Sequence, residues 1–135
     1  LTNIQTAIGQ AQIENFSDIK LAKEKIHNFY KKLFSESESI ELITPGKNTE
    51  SNYWLNIIKF SNQDFQRQAI QKFLSADIEV RPIWYANHLQ EPFKNSYAFK
   101  IENAPRQIES SLCLPSSISL SSKDFDRISE VVKSL

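Results

Sequence analysis

The run YWLNIIKF at residues 53–60 constrains the fold more than any other stretch. Successive side chains of an extended chain point to opposite faces, so Tyr53, Leu55 and Ile57 lie opposite Trp54, Ile58 and Phe60. A strand that is apolar on both faces is expected to be central in a sheet and covered on both sides. The next residues set the adjoining layer. Ser61 and Asp64 have the spacing of a capping box, with Phe60 and Phe65 as its hydrophobic staple. A helix then runs to about Ser75, with Phe65, Ala69, Ile70, Phe73 and Leu74 on its buried face. Residues 78–83 read as the next strand.

Residues 4–34 read as helix. Ile4, Ala7, Ile8 and Ala11 recur at spacings of three and four, as do Ile19, Ala22, Ile26, Phe29, Tyr30 and Leu33. Asn15-Phe16-Ser17 interrupts the pattern. Either Ser17 caps a second helix with Asp18 near its positive end, or the chain runs through with a small bend. Such a helix would be roughly 45 Å long at about 1.5 Å per residue, more than a small domain covers by itself. Part of the first stripe is therefore expected to pack on another domain or subunit, unless a shorter first helix folds back. Residues 40–43 fit a short strand, and Pro45 to Asn48 a turn. Residues 97–101 alternate like an edge strand. Asn103 can cap a helix from Ala104 that tolerates Pro105 in its first turn. Residues 112–114 form a brief strand stopped by Pro115. Ser121 and Asp124 repeat the capping box, with Leu120 and Phe125 around it. Phe125, Ile128, Val132 and Leu135 then form the buried face of the last helix. The expected fold class is α/β, specifically a two-layer α+β domain with helices against a three- or four-stranded sheet. Residues 1–34 are expected to be a helical connector and residues 35–135 the small domain.

Several function classes fall away on composition. Sixteen basic residues balance sixteen acidic ones, which removes the electrostatic case for nucleic acid. No apolar run is long enough for a membrane span, and the N-terminus lacks a secretory pattern. The one cysteine, Cys113, precludes an internal disulfide framework and fits a reducing, cytoplasmic setting; between two leucines it reads as a small buried hydrophobe. With two histidines and that cysteine, no zinc-ligand spacing exists and no metal is expected. The two glycines, Gly9 and Gly46, cannot build a glycine-rich phosphate cradle. The chain has no methionine and opens on Leu1 within a helical pattern, so it is expected to be a segment of a longer protein.

The run RPIWYANHLQEPF at residues 81–93 has no core-building period. Pro82 and Pro92 hold it in shape, and polar side chains on a fixed loop are a common source of function. On pattern alone, a plain connection whose polar groups face water stands ahead of a functional loop. His88 can donate a hydrogen bond or shuttle a proton near neutrality, and a small enzyme pairing it with Glu91 is one reading. Arg81 can clamp an anion with its planar fork, or simply close a salt bridge. His27, among helical residues, reads as structural. Lys20, Lys23, Lys25, Lys31 and Lys32 read as a solvated helix face, and Lys94 as a loop residue. On the residues alone, a binding or assembly module stands ahead of a self-contained active site.

Three stretches resemble the C-terminal part of the pyridoxal-phosphate-dependent sugar aminotransferases of the DegT/DnrJ/EryC1/StrS family. They are LTNIQTAIGQAQI at residues 1–13, then RPIW, HLQ and PFK within residues 81–94, then LCLPS at 112–116 followed by LSSKD at 120–124. Their order across nearly the whole chain carries the resemblance. Ala86 stands where many relatives have proline, Asn87 where an apolar residue is common, and Pro105 where glutamate is usual.

The resemblance implies the small domain of a fold-type I enzyme that moves an amino group from glutamate, through pyridoxal phosphate, to a nucleotide-linked keto-deoxy sugar. The cofactor lysine and most phosphate contacts would belong to a large N-terminal domain preceding Leu1. The site would form between two subunits of a homodimer. No catalytic residue and no bound cofactor are expected within this chain itself. Carried over by position, His88 and Arg81 match loop residues that approach the sugar nucleotide, and Trp84 and Gln90 match positions that shape it. Asn3 and Gln5 fall in a segment that runs near the neighbouring subunit's cofactor. A non-catalytic binding or dimerisation module is the alternative.

Overall fold

A computed structural model describes residues 2–135; Leu1 lies outside the described residues. Helix α1 (Asn3–Glu14) starts with a capping box in addition to the two expected: Gln5 N donates to Thr2 Oγ1 (3.3 Å) while Thr2 N donates to Gln5 Oε1 (2.9 Å). Helix α2 (Phe16–Leu33) follows after a single-residue break. Asn15 Nδ2 donates to Ala11 O (2.8 Å) and Ile19 N donates to Asn15 O (3.1 Å), so Ser17 caps nothing and the chain passes through. Ile4, Ile8 and Ile13 of α1 are exposed, so the first stripe is not folded back on the domain. The second stripe does reach the core, through Ile26 and Tyr30 and then Phe34 just beyond the helix.

Four strands, β1 (Ile40–Leu42), β2 (Asn56–Phe60), β3 (Arg81–Pro82) and β4 (Ser111–Leu114), form one antiparallel sheet in the order β1-β2-β4-β3. Since β4 runs antiparallel to both neighbours, β2 and β3 are parallel. Helix α3 (Gln63–Ser75) joins them, and β4 fills the gap of this split β–α–β unit. Register places Ile58 beside Leu112 and Leu42, and Phe60 beside Ile40. These residues merge with Ile26, Tyr30, Ala69, Phe73 and Ile128 into one core cluster, which ties α2, α3 and α5 (Ser122–Lys133) to the sheet. This is the two-layer α+β architecture expected.

Several boundaries differ from expectation. Strand β2 begins at Asn56 and alternates between buried and half-buried residues, so one face is fully covered rather than both. The core helices converge on Asn56, Ile58 and Phe60, leaving Ile57 and Lys59 with partial cover. Ile78 and Val80 are buried but unpaired; only Arg81 and Pro82 pair, opposite Cys113 and Leu112. Extending the ladder backwards would meet Pro115, which has no N–H, and Pro82 itself donates nothing. Residues 97–101 form no strand, because the two-residue β3 offers no edge to extend and Lys100 sits at φ 47°.

Helix α3 is capped by Asn62 rather than Ser61, its Oδ1 accepting from Phe65 N (2.9 Å). The Phe60 and Phe65 rings still meet edge to face at 5.6 Å, while Leu74 is exposed. Asn103 opens α4 (Asn103–Ser110) as its first residue instead of capping it. The capping box of α5 is as expected: Asp124 N donates to Ser121 Oγ (3.4 Å) and Ser121 N to Asp124 Oδ2 (2.8 Å). Hydrogen bonds from the Ser121 backbone and hydroxyl hold the Asp124 carboxyl below its ordinary range. A depressed carboxyl stabilises the fold at neutral pH, and that contribution disappears as acid protonates it. Ser121→Ala should lower stability by about 1 kcal/mol in urea unfolding at neutral pH. No loss would mean that α5 is held by its apolar face alone.

Candidate functional site

Beyond Pro82 the chain leaves the sheet edge and two 3-10 turns, Asn87–Leu89 and Glu91–Phe93, give the loop its shape. Leu89 N donates to Ala86 O (3.0 Å), Phe93 N to Gln90 O (2.9 Å) and Ser96 N to Phe93 O (2.9 Å). Gln90 fastens the loop from inside: its Nε2 donates to Tyr85 O and to Asn87 Oδ1, both at 3.1 Å. His88 is half-buried on the first turn and makes no side-chain hydrogen bond among the described residues. Glu91 faces Lys94 (3.3 Å) rather than His88, which removes support for a His88–Glu91 pair.

Arg81 donates from Nε (2.8 Å) and from a terminal nitrogen (2.6 Å) to the same oxygen of Glu79. Both side chains are more than two-thirds exposed, so this pair is worth at most about 1 kcal/mol and yields readily to a competing anion. The other terminal nitrogen of Arg81 has no partner among the described residues. A groove of about 420 Å³ adjoins Arg81, Glu79, Leu55 and Cys113, but Trp84, His88 and Gln90 do not line it. Burial pushes the Cys113 thiol up, which keeps it a packing residue.

Trp84 packs against Trp54, their ring centroids 5.8 Å apart and tilted by 33°. Trp54 lies before β2 rather than within the expected strand 53–60, and no spacing signal links residues thirty apart. Segment 53–55 is instead held by a buried polar network. His27 Nδ1 lies 2.9 Å from Asn56 Oδ1, and Asn56 Nδ2 donates to Ser116 Oγ (3.0 Å). The Ser116 hydroxyl gives its proton to Leu114 O (2.9 Å), which obliges Asn56 to present its amide there and its oxygen to His27. His27 therefore carries its proton on Nδ1, and its structural reading stands. Lys23 is not solvated as expected: Nζ donates to Trp54 O (3.3 Å) and Ser116 O, and burial lowers its pKa. Lys20 pairs with Glu50.

Pyridoxal phosphate requires a lysine for its carbonyl carbon, a partner for the ring nitrogen and donors around the phosphate. The described residues do not assemble that set. Lys23, whose amine is partly buried, is held by two backbone carbonyls. Gly9 lies inside α1 and Gly46 in a turn, away from any helix N-terminus that could cradle a phosphate. Trp84, His88 and Gln90 share one loop, with Arg81 on the strand that leads into it, and the four make no hydrogen bond with one another among the described residues. Gln5 is engaged by Thr2, while Asn3 opens α1.

Paired leading helices, a split β–α–β sheet and a polar loop leaving its edge strand are the small-domain architecture of fold-type I transferases. Helicobacter pylori PseC, an aminotransferase involved in the biosynthesis of pseudoaminic acid, superposes with a TM-score of 0.87 over 99% of this chain and 37% of that one, at 14% identity. That likeness speaks for the fold alone. Residues 1–133 match the DegT/DnrJ/EryC1/StrS aminotransferase family, and the chain belongs to it. The GDP-perosamine synthase of Vibrio cholerae is 32% identical over 119 residues, covering 78% of this chain and 32% of that protein. The GDP-perosamine synthase of Caulobacter vibrioides is 24% identical over 134 residues, covering 95% and 35%. The chain spans about a third of the length of the curated relatives it matches.

Proposed function

We propose that this chain is the small domain of a cytoplasmic, homodimeric, pyridoxal-phosphate-dependent aminotransferase, and that it contacts a nucleotide-linked keto-deoxy sugar aminated at the expense of glutamate. The observation that carries this reading is a family match over residues 1–133 combined with an outward-facing polar loop. The cofactor, held by a large domain, would supply the electron sink for nitrogen transfer. This chain's own residues would bind and orient. His88, half-buried on its 3-10 turn and without a hydrogen-bond partner among the described residues, would hydrogen-bond a sugar hydroxyl. Arg81 would exchange Glu79 for the diphosphate, for which its fork is suited. Trp84 would form a wall of the site. Gln90, bonded to Tyr85 and Asn87, would keep the turn in shape rather than touch the ligand. At the other end of the chain, Asn3 would lie toward the neighbouring subunit's cofactor region.

An amino-transfer assay with glutamate and several nucleotide-linked keto sugars tests the proposal. The polypeptide in which this chain is joined to a lysine-bearing large domain should aminate at least one of them, and the chain alone none. Transfer by the chain alone would refute the division of labour.

A further inference from the structure

Resting on that function, we infer that Trp54 and Trp84 form a stacking platform for the base of the nucleotide. They are the two tryptophans of the chain, and each is nearly two-thirds exposed (64% and 63%) despite being in contact with the other. Exposed indoles on loops ordinarily move with their loops, but Trp54 is anchored at both backbone atoms. Its N–H donates to Asn52 Oδ1 (3.1 Å), and its carbonyl accepts from Lys23 Nζ (3.3 Å). Tyr53, next to it, is held at φ 49°, a region that an aromatic residue enters only under constraint from its surroundings. The constraint is visible: the Tyr53 ring lies on His27 at 4.6 Å, and His27 is fixed by Asn56. A strained, buried network thus holds an indole in water, where packing within this chain gives it little reward.

The chemistry of the platform selects its occupant. Two flat, uncharged π-systems favour a flat heteroaromatic ring, and stacking on an aromatic side chain accepts any base. The indoles touch one another, so the base lies on an outer face rather than between them. Arg81 is three residues before Trp84, at most about 10 Å along the chain, and can reach a diphosphate attached to that base. The pair holds the base without discriminating between bases, while the rest of the loop faces the sugar.

The chain's emission comes mainly from these two residues, so fluorescence reports the site directly. Titrating GDP, UDP and dTDP into the 135-residue chain should give saturable quenching with at least one of them, and inorganic pyrophosphate none. Trp84→Ala, followed through Trp54, and Trp54→Ala, followed through Trp84, should each weaken binding about tenfold or more, while Trp54→Phe keeps most of it. Circular dichroism checks that these surface variants remain folded. Absence of saturable quenching by all three nucleotides, equal quenching by pyrophosphate, or unchanged affinity in both alanine variants would overturn the inference. Amination of a nucleotide sugar by the longer polypeptide alongside any of those results would leave the proposed function standing and place the base elsewhere.

Discussion

Tyr30→Ala is expected to lower stability by about 3–5 kcal/mol, a large part of the margin of a domain this size. Tyr30 is fully buried in the cluster that joins α2 to the sheet, with Phe29 at 5.2 Å and Phe34 at 6.4 Å between ring centroids. Its hydroxyl donates to Pro115 O (2.7 Å), fixing the helix to the chain leaving β4. Truncation therefore removes a buried ring and orphans a carbonyl. In urea the midpoint should fall by roughly 2 M with little change in slope. Tyr30→Phe keeps the ring and should lose only about 1 kcal/mol. Burial also pushes the Tyr30 phenol well above its ordinary pKa of 10.0, so the folded chain resists its ionisation and the unfolded chain does not. Stability should accordingly decline as pH rises above 10.0, and Tyr30→Phe should blunt that decline. A loss below 1 kcal/mol in Tyr30→Ala would show that α2 is held chiefly elsewhere.

Asn56→Ala is expected to cost about 2–4 kcal/mol, from a small cavity and a buried imidazole N–H left without its acceptor. Asn56 is 1% exposed and His27 5%, so water does not easily replace the lost contact. The two residues act as one unit, so His27→Ala combined with Asn56→Ala should cost much less than the sum of the single changes. Additive losses would contradict the hydrogen bond. Asn56→Ala should also free Trp54, two residues upstream, and weaken the near-ultraviolet circular dichroism of its contact with Trp84. Persistence of that signal would mean that Asn52 and Lys23 suffice to hold the indole.

Periodicity made α2, α3 and α5 legible, because each buries a stripe that repeats every three or four residues. The Ser121–Asp124 box was legible for the same local reason. Strand ends were not, since they depend on what the partner offers. Residues 78–80 look like a strand yet go unpaired where Pro115 offers no donor, and 97–101 alternate beside an edge of two residues. The Arg81–Glu79 pair left a trace, as residues two apart share a side of an extended chain. Trp54 left none: its meeting with Trp84 depends on a positive φ at Tyr53 and a histidine–asparagine bond across 29 residues. Lys23 shows the same limit. Its place on a charged helix face resembles that of Lys25, and only the tertiary fold distinguishes them.

Under the proposed function, this chain presents substrate to chemistry performed elsewhere in the protein. His88→Ala in the longer polypeptide separates the two roles when the glutamate half-reaction and the sugar half-reaction are measured one at a time. The expected result is an unchanged glutamate half-reaction and cofactor content, with a KM for the nucleotide sugar raised about tenfold, the worth of one hydrogen bond to the ligand. An equal loss in both half-reactions, or an unaltered KM, would contradict it.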